Sequence, residues 1–572
     1  MKNYDNFSKK ELLKLVKKQD AELAKKKYGL VWDSEKVPEK VVTDCEQNIP
    51  ILDRVYDKEI KTDDSDDNIL IEGDNYHALM CLNYTHEDKI DVIYIDPPYN
   101  TGNKDFVYND DYVDQEDGYR HSKWLNFMEK RLLLARNLLK ETGVIFISID
   151  DNEMAQLKLL CDDVFGAVNF LGNLTWIKKT KPVNSGKAKK QIQQNIEYVL
   201  CYLKSKKNNF SGFKLKTQGA RIYNKKGKLG NCRFKDIEDS DYGRKKRDTM
   251  KFPILNIKPA IGKRWKIGKE EIDRLIDENR IEIVNSKIKV AIYPQDEKNY
   301  IKSPFWSHLD RSFVGTAETG KKELSEILTK NHNFDTVKPL GLIKELLFHF
   351  PKNITILDFF AGSGTTGHAI LESNKKDGGN RKIVLCTNNE LNGAGSDLVK
   401  KNPNEEKEKF GICQRVTFPR LEKVINGYKK NGNGEFIDGL GGNLQYFKTS
   451  LIPVDKVDKV TDEQKIELTY KAGQMIAIKE NTFEEVETNE WYQIFENKDK
   501  SRKTAIYFRE DLGEFQNLIK KMNNTKTILY VFSYVAEIDK DVFFVNKNID
   551  LKAIPEPIIK LYQRINLTTK RS

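Results

Sequence analysis

Two short stretches of this 572-residue chain bring together residue types that could do chemistry. The first is Asp96-Pro97-Pro98-Tyr99, which follows the apolar run Val92 to Ile95. Two successive prolines can neither extend a strand nor donate to its ladder, so they set a rigid exit at the strand's C-terminal edge. In open α/β sheets that edge is where ligands bind. The turn offers a carboxylate, a backbone carbonyl and an aromatic ring. Such a set suits an exocyclic amino group on a flat base: Asp96 and the Pro97 carbonyl would accept its two N–H hydrogens, and Tyr99 would stack on the ring. Taken alone, the tetrapeptide could also be an ordinary β-turn with an outward Asp.

The second stretch is ITILDFFAGSGTTGHAI (354–370), an apolar strand ending at Asp358, a loop with Gly362, Gly364 and Gly367, and a helix from about Thr365. Glycines let a ligand approach the backbone closely, and the helix start offers free N–H groups. Phe360 to Gly364 reads FxGxG, not the GxGxxG of dinucleotide folds, and the loop has no phosphate-seeking lysine. It suits a mononucleoside with a positively polarised tail better than a pyrophosphate, although a plain tight turn would look the same. The next apolar run, RKIVLCTNNE (381–390), ends at Glu390, and an acid in that place suits a ribose diol.

The elements that must position these residues are legible as apolar runs. NILIEGD (68–74), IDVIYIDPPY (90–99) and VIFISID (144–150) read as strands. Between the last two, SKWLNFMEKRLLLARNLLKETG (122–143) has helical spacing, with Gly143 placed as its stop. Strands alternating with helices imply a mostly parallel α/β sheet. A further short helix is expected over about 8–27.

Composition narrows the class. At roughly 100–200 residues per domain the chain should hold about three or four units. Hydrophobic residues make up 38% and charged residues 32%, polar but still within reach of a folded protein. Lys and Arg outnumber Asp and Glu by 97 to 86, and the resulting +11 suggests a polyanionic partner. No apolar run approaches a membrane span, and the N-terminus has no apolar signal segment. Seven scattered cysteines, none in a CxxC pair, read as reduced thiols without a zinc site or disulfide framework. The expectation is a cytoplasmic protein with no membrane contact and no metal.

The strand–helix rhythm breaks between about 178 and 331. Segment 204–251 carries 16 Lys/Arg against 5 Asp/Glu, interleaved with aromatics, and is densest at Arg244-Lys245-Lys246-Arg247. Such a run suits phosphate contacts, and alone it could be a solvated charge cluster. Gly315 to Lys322 nearly spells GxxxxGK[ST], but Lys322 stands where a magnesium-binding hydroxyl is needed, so it reads as a connecting loop. A Gly/Asn-rich connector (431–443) leads into a C-terminal stretch of mixed α/β pattern, which offers no chemical motif.

At this point the sequence resembles the amino-group DNA methyltransferases that use S-adenosylmethionine. DPPYNTG (96–102) is similar to their catalytic motif and DFFAGSGTT (358–366) to their cofactor motif. The catalytic motif comes first, with a long insert before the other, which is the order of the β class of permuted N6-adenine enzymes. The flanks IEGDNYHAL (71–79), WLNFMEKRLLLARNLLKETGVIFISIDDNE (124–153), NIEYVLCY (195–202) and FDTVKPLGLIKELL (334–347) sharpen the likeness to modification (Mod) subunits of type III restriction–modification systems. It covers about 65 to 425, and AIPEPIIKLYQRI (553–565) is similar as well.

The resemblance implies an α/β fold: a circularly permuted, Rossmann-like methyltransferase domain interrupted by a target recognition domain, plus a C-terminal α+β domain. The implied divisions are an N-terminal helical segment (1–45), the catalytic half (46–177), the DNA-reading insert (178–331), the cofactor half (332–430) and a C-terminal domain for dimer or partner contacts (444–572). Asp96, Pro97, Pro98 and Tyr99 would be catalytic. Asp358, Phe360, Gly362 and Gly364 would hold the methionine end and backbone side of S-adenosylmethionine, with Thr365 beginning the helix behind them. Glu390 would take the ribose hydroxyls. Asp74 would meet the cofactor adenine, or else cap a helix. Lys338 and Pro339 match a motif that closes over the methionine moiety, a surface lysine being the alternative.

The implied reaction is direct methyl transfer to the N6 amine of an adenine flipped out of double-stranded DNA, without a metal. No cysteine follows a proline, so the nucleophile of cytosine-C5 methylation is missing. Asp at the first position of DPPY favours adenine N6 over cytosine N4. Arg244 to Arg247 would contact DNA. A homodimer and a separate restriction (Res) subunit are the implied partners. The alternatives are a cytosine-N4 DNA or RNA amino-methyltransferase, and a DNA-recognition subunit without catalysis.

Overall fold

The apolar runs that read as strands pair in an order unlike their order in the chain. The computed structural model describes residues 38–570, except 64, 103–104, 110, 183–185, 187–189, 191, 206–209, 243–246, 299, 329–331, 333, 335, 392, 458, 523–524, 536–537, 539–542 and 544. The expected helix at 8–27 lies outside them. Ten strands form the main sheet: β1 (Asn48–Arg54), β2 (Asp67–Glu72), β3 (Ile90–Ile95), β4 (Leu139–Ile149), β5 (Phe170–Ile177), β6 (Ile196–Leu203), β7 (His308–Leu309), β8 (Thr355–Asp358), β9 (Lys382–Thr387) and β10 (Asn443–Pro453). Their order is β1-β10-β2-β9-β8-β3-β4-β6-β5-β7.

The middle six strands, from β10 to β4, run parallel. Strands buried on both faces should be continuously apolar rather than alternating, and β2, β3 and β9 each have at least four of six residues buried in an unbroken run. The catalytic half of the chain (β2, β3, β4) and the cofactor half (β8, β9) interleave: β8 pairs with β3, and β9 with β2. This is the permuted α/β arrangement expected from motif order. Helices α1 (Asn75–Thr85), α2 (Arg120–Leu138) and α3 (Met154–Cys161) follow the catalytic-half strands. Then come α4 (Ala317–Ile327), α5 (Leu340–Phe348), α6 (Thr365–Asp377) and α7 (Phe418–Asn426).

Three boundaries differ from the sequence reading. Helix α2 ends at Leu138 instead of Gly143, because Leu139 onward pairs with Ile90 as strand β4. Gly143 is therefore no helix stop; a Cβ there would sit 2.8 Å from the Lys140 carbonyl oxygen and 3.1 Å from that of Ile90, so the glycine lets the chain pass close both to its own preceding residues and to β3. The insert expected at 178–331 yields a smaller compact unit, Gly212–Trp306, because β6 joins the main sheet and 307 onward belongs to the larger unit. Within that smaller unit, a four-stranded antiparallel sheet packs Ile237, Ile254, Trp265, Ile272 and Val290 into its own core.

The C-terminal stretch is not a separate domain beginning at 444. Its first strand, β10, lies between β1 and β2 in the main sheet. Beyond it stand β11 (Glu484–Thr488), β12 (Tyr492–Glu496), β13 (Arg502–Tyr507), β14 (Lys526–Ser533) and β15 (Ile549–Pro555), a second five-stranded sheet, and α8 (Glu556–Lys570). One apolar cluster runs from Cys45 through Leu79 and Met475 to Ile565, joining this region to the main core. Tyr562 of α8 donates its hydroxyl to the Pro50 carbonyl at 2.9 Å. All seven cysteines are buried and free. Among the described residues no helix is long and apolar enough to cross a membrane.

Candidate active site

Parallel strands place their C-terminal ends along one edge, so β2, β9, β8 and β3 bring Asp74, Glu390, Asp358 and Asp96 to neighbouring positions there. Four acids at adjacent strand ends, with the glycine loop between two of them, make the ligand edge of the sheet.

The glycine loop is held from beneath. Asp358 is 2% exposed, accepts from the Phe360 amide at 3.0 Å and the Thr366 hydroxyl at 2.6 Å, and burial pushes its carboxyl up to about 7. Gly362 and Gly364 have φ of +47° and +75°, where a side chain is strained. Fully buried Arg420 on α7 donates to the Ser363 carbonyl and the Thr365 hydroxyl, and the Thr417 hydroxyl donates to the Gly362 carbonyl at 2.6 Å. Thr365, expected against the cofactor, is thus buried with its hydroxyl on Arg420. On the loop's other side, a Cβ at Gly362 would find nothing nearer than 3.8 Å. Glu390 is exposed at the end of β9.

Asp74 caps α1, accepting from the Tyr76 amide at 2.7 Å, so the capping reading holds for it. It also faces Arg131 at 3.5 Å. That guanidinium is fully buried, gripped by Glu39 through two hydrogen bonds at 2.9 and 2.8 Å and stacked 3.7 Å from the Phe127 ring. Phe127 in turn packs on Phe360, 5.9 Å between centroids.

The Asp-Pro-Pro-Tyr turn leaves β3 as expected. The Pro98 carbonyl accepts from the Trp124 indole at 2.7 Å, whereas among the described residues no donor is bonded to the Pro97 carbonyl. Lys338, expected over the methionine end of a cofactor, instead places its ammonium 2.8 Å from both Asp96 oxygens and 2.9 Å from the Tyr99 hydroxyl. Pro339, beside it, is buried and caps α5. Burial disfavours charge on Lys338, but Asp96 and Glu197 outweigh it and hold the ammonium well above the ordinary lysine range.

Glu197 was not singled out from sequence. It stands on β6, 4% exposed, with Lys178 at 3.1 Å and Lys338 at 3.2 Å, and accepts from the Tyr99 hydroxyl at 3.1 Å. Burial would raise its carboxyl; the two lysines prevail and lower it. A carboxylate inside the apolar run IEYVLCYL was the available signal. Lys178 also approaches Asp150 at 4.0 Å, so the charges alternate in sign from Asp96 to Asp150. Next to them, Glu153 accepts from Asn100 at 2.5 Å, and burial pushes its carboxyl up to about 8.

The near P-loop has a packing explanation. Gly315, φ +80°, ends a short helix and gives its carbonyl to the Trp176 indole at 2.8 Å, while Gly320 on α4 abuts the Val337–Lys338 backbone. Of the basic run, 244–246 lie outside the described residues and Arg247 is exposed.

A strand-end carboxylate, a glycine loop and an exposed acid thus stand together along one edge of the parallel sheet. Residues 90–413 match the N6_N4_Mtase family, described as DNA methylase, and the chain belongs to that family. It is 30% identical over 459 residues to the type III restriction-modification enzyme StyLTI Mod subunit of Salmonella typhimurium, across 73% of this chain and 66% of that protein. It is 34% identical to the type II methyltransferase M.KpnI of Klebsiella pneumoniae, across 64% of this chain and 89% of that protein. The chain thus spans just under two thirds of the Mod subunit's length. A solved DNA modification methylase of Thermus thermophilus, complexed with S-adenosyl-L-methionine, is 16% identical, over 59% of this chain and 97% of that one, at a TM-score of 0.27.

Proposed function

We propose that the protein is a site-specific DNA methyltransferase that transfers the methyl group of S-adenosylmethionine to adenine N6 in double-stranded DNA, as the modification subunit of a type III restriction–modification system. The carrying observation is the pairing of Asp96 and the unbonded Pro97 carbonyl at one strand end with the glycine loop at the next. The residues fit the cofactor. Gly362 has room for a ligand at its Cβ position, Glu390 is exposed where ribose hydroxyls need an acceptor, and Phe360 presents a half-buried ring. Asp74, though a helix cap, follows β2 on the same edge, and this reading assigns it to the cofactor adenine.

When bound, the cofactor supplies a methyl group on a sulfonium, an electrophile already activated. The chain's own residues do the rest. An adenine N6 amine is a weak nucleophile because its lone pair is delocalised into the ring. Bonds from its two hydrogens to Asp96 and the Pro97 carbonyl concentrate density on nitrogen and fix its approach, so positioning and electrostatics supply the acceleration. As N6 gains its methyl group it becomes cationic, beside the Asp96 carboxylate, and then releases one proton. The base reaches this edge only if flipped out of the duplex, with Tyr99 as its stacking partner. Phosphate contacts fall to the basic insert, including Arg244, Lys245, Lys246 and Arg247, and a homodimer with a Res partner is the assembly this reading carries.

Cytosine N4 is the second reading, since the matched family spans N6 and N4 enzymes. One experiment separates them: purified protein, methyl-labelled S-adenosylmethionine and mixed genomic DNA, followed by nucleoside analysis, with Asp96→Ala as control. N6-methyladenine that disappears in the variant is the expected result. N4-methylcytosine overturns the base, and no labelled nucleoside overturns the activity.

A further inference from the structure

Two donors crowd the carboxylate that must receive the amine. Lys338 spans both Asp96 oxygens at 2.8 Å, and the Tyr99 hydroxyl lies 2.8 Å from Oδ1. An amine entering here competes with both. The Tyr99 hydroxyl has one proton and two acceptors in reach, Asp96 at 2.8 Å and Glu197 at 3.1 Å. Lys338 has the same choice, with Glu197 at 3.2 Å. Glu197 therefore offers a second anionic acceptor to each group that occupies Asp96. It is well placed for this: it sits at the start of β6, paired in register with Trp176, and its other oxygen is anchored by Lys178 at 3.1 Å. Trp176 is 1% exposed, and its ring centre lies 5.6 Å from the Lys338 ammonium.

We infer that Glu197 is a positioning residue for methyl transfer, drawing the Lys338 ammonium and the Tyr99 proton from Asp96 so that the carboxylate can take the substrate amine. The inference rests on the reading of Asp96 as the amine's acceptor. It deepens that reading by giving Lys338 a place in the reacting network and not against the cofactor. Charge decides the matter: without Glu197 the buried ammonium has only Asp96 to neutralise it, and an ammonium committed to one carboxylate in a desolvated site is hard to displace. Glu197 acts through Lys338 and Tyr99, to which it is bonded, so its removal should spare binding and act on turnover.

The test compares wild type with Glu197→Gln, Glu197→Asp and the double variant Glu197→Gln/Lys338→Met, in full-length protein. Glu197→Gln should lower kcat about 10²-fold, the scale of a misplaced reacting group, with KM for S-adenosylmethionine and the affinity for DNA within about twofold of wild type. Glu197→Asp keeps the charge and should recover part of the rate. The double variant removes the unbalanced cation along with its partner, so it should turn over faster than Glu197→Gln alone, the coupling expected of two groups in one charge network. It also keeps the question answerable if the single variant does not fold, because it removes one anion and one cation together and leaves the net charge of the site unchanged. Wild-type rate in Glu197→Gln, or losses that simply multiply in the double variant, overturn the inference. Failure of the wild type to methylate any amino group overturns the underlying reading instead.

Discussion

Gly320→Ala should separate stability from turnover in this protein. A Cβ at Gly320 would lie 2.1 Å from the Val337 carbonyl oxygen and 2.8 Å from the Lys338 carbonyl carbon. Real Cβ contacts are essentially never under 3.0 Å, so α4 and the 337–338 backbone must part by roughly 0.9 Å. Overpacking of this kind costs about 1–3 kcal/mol. Alanine in a helix returns about 0.5–1 kcal/mol relative to glycine. The net loss of at most about 2.5 kcal/mol is a fall of only a few degrees in the unfolding midpoint. Activity should suffer far more. Lys338 follows the displaced carbonyl directly, and a 1 Å error in a reacting constellation costs about 10²-fold. The assay is kcat with saturating labelled S-adenosylmethionine, alongside thermal unfolding by circular dichroism. Gly118→Ala, where a Cβ meets nothing within 4 Å, is the control and should change neither. Full turnover with a raised midpoint in Gly320→Ala would refute the reasoning, since it would mean that the 337–338 segment moves without consequence for Asp96.

Other substitutions probe other parts of the edge. Glu390→Gln should weaken S-adenosylmethionine binding by about 10- to 100-fold, the loss of a charge-assisted hydrogen bond, and an unchanged calorimetric Kd would remove Glu390 from the ribose. Arg131→Met leaves Glu39 buried without its cation and should cost about 3–5 kcal/mol in urea unfolding; a loss below about 1 kcal/mol would show that the pair does not hold α2. Glu153 has its folded-state carboxyl raised to about 8 from 4.5, so the native state keeps a proton that the unfolded chain releases. Stability from this group is full below about pH 4.5 and declines as pH rises towards 8, by at most about 1.4 kcal/mol per unit. Glu153→Gln should flatten that decline, and a variant whose urea midpoint falls with pH as steeply as wild type would show that Glu153 is ionised in the fold.

What the sequence disclosed, and what it hid, follows from how local each requirement is. Asp96-Pro97-Pro98-Tyr99 and the loop at 358–366 declared themselves because proline and glycine answer to backbone geometry within a few residues, and both lie where expected, at the ends of β3 and β8. The same local rule misled at Gly143, since a glycine after an apolar helical run signals a helix stop whether or not a neighbouring strand needs the space. It misled again at 431–443, where a Gly/Asn-rich connector looked like a domain boundary. Pairing decided otherwise, because Leu444 to Phe447 complete a sheet whose neighbouring strand, Asn68 to Ile71, comes far earlier in the chain.

Charge partners are the least local property of all. Lys338 and Pro339 were legible as a motif, yet which carboxylate the lysine meets depends on β3 and β6 lying two strands apart, on either side of β4, in the finished sheet. Glu197 is 98 residues from Tyr99 in sequence and 3.1 Å from it in space. A lone acid within an apolar strand is costly to bury unless a partner waits for it. Such an acid is therefore a question put by the sequence, and only the fold supplies the answer: two lysines and a tyrosine converge on it. The same reasoning gives the site its direction. Asp96, Lys338, Glu197 and Lys178 balance in pairs, which on the proposed reading lets an amine approach Asp96 without leaving a cation stranded, provided that each donor has somewhere else to go.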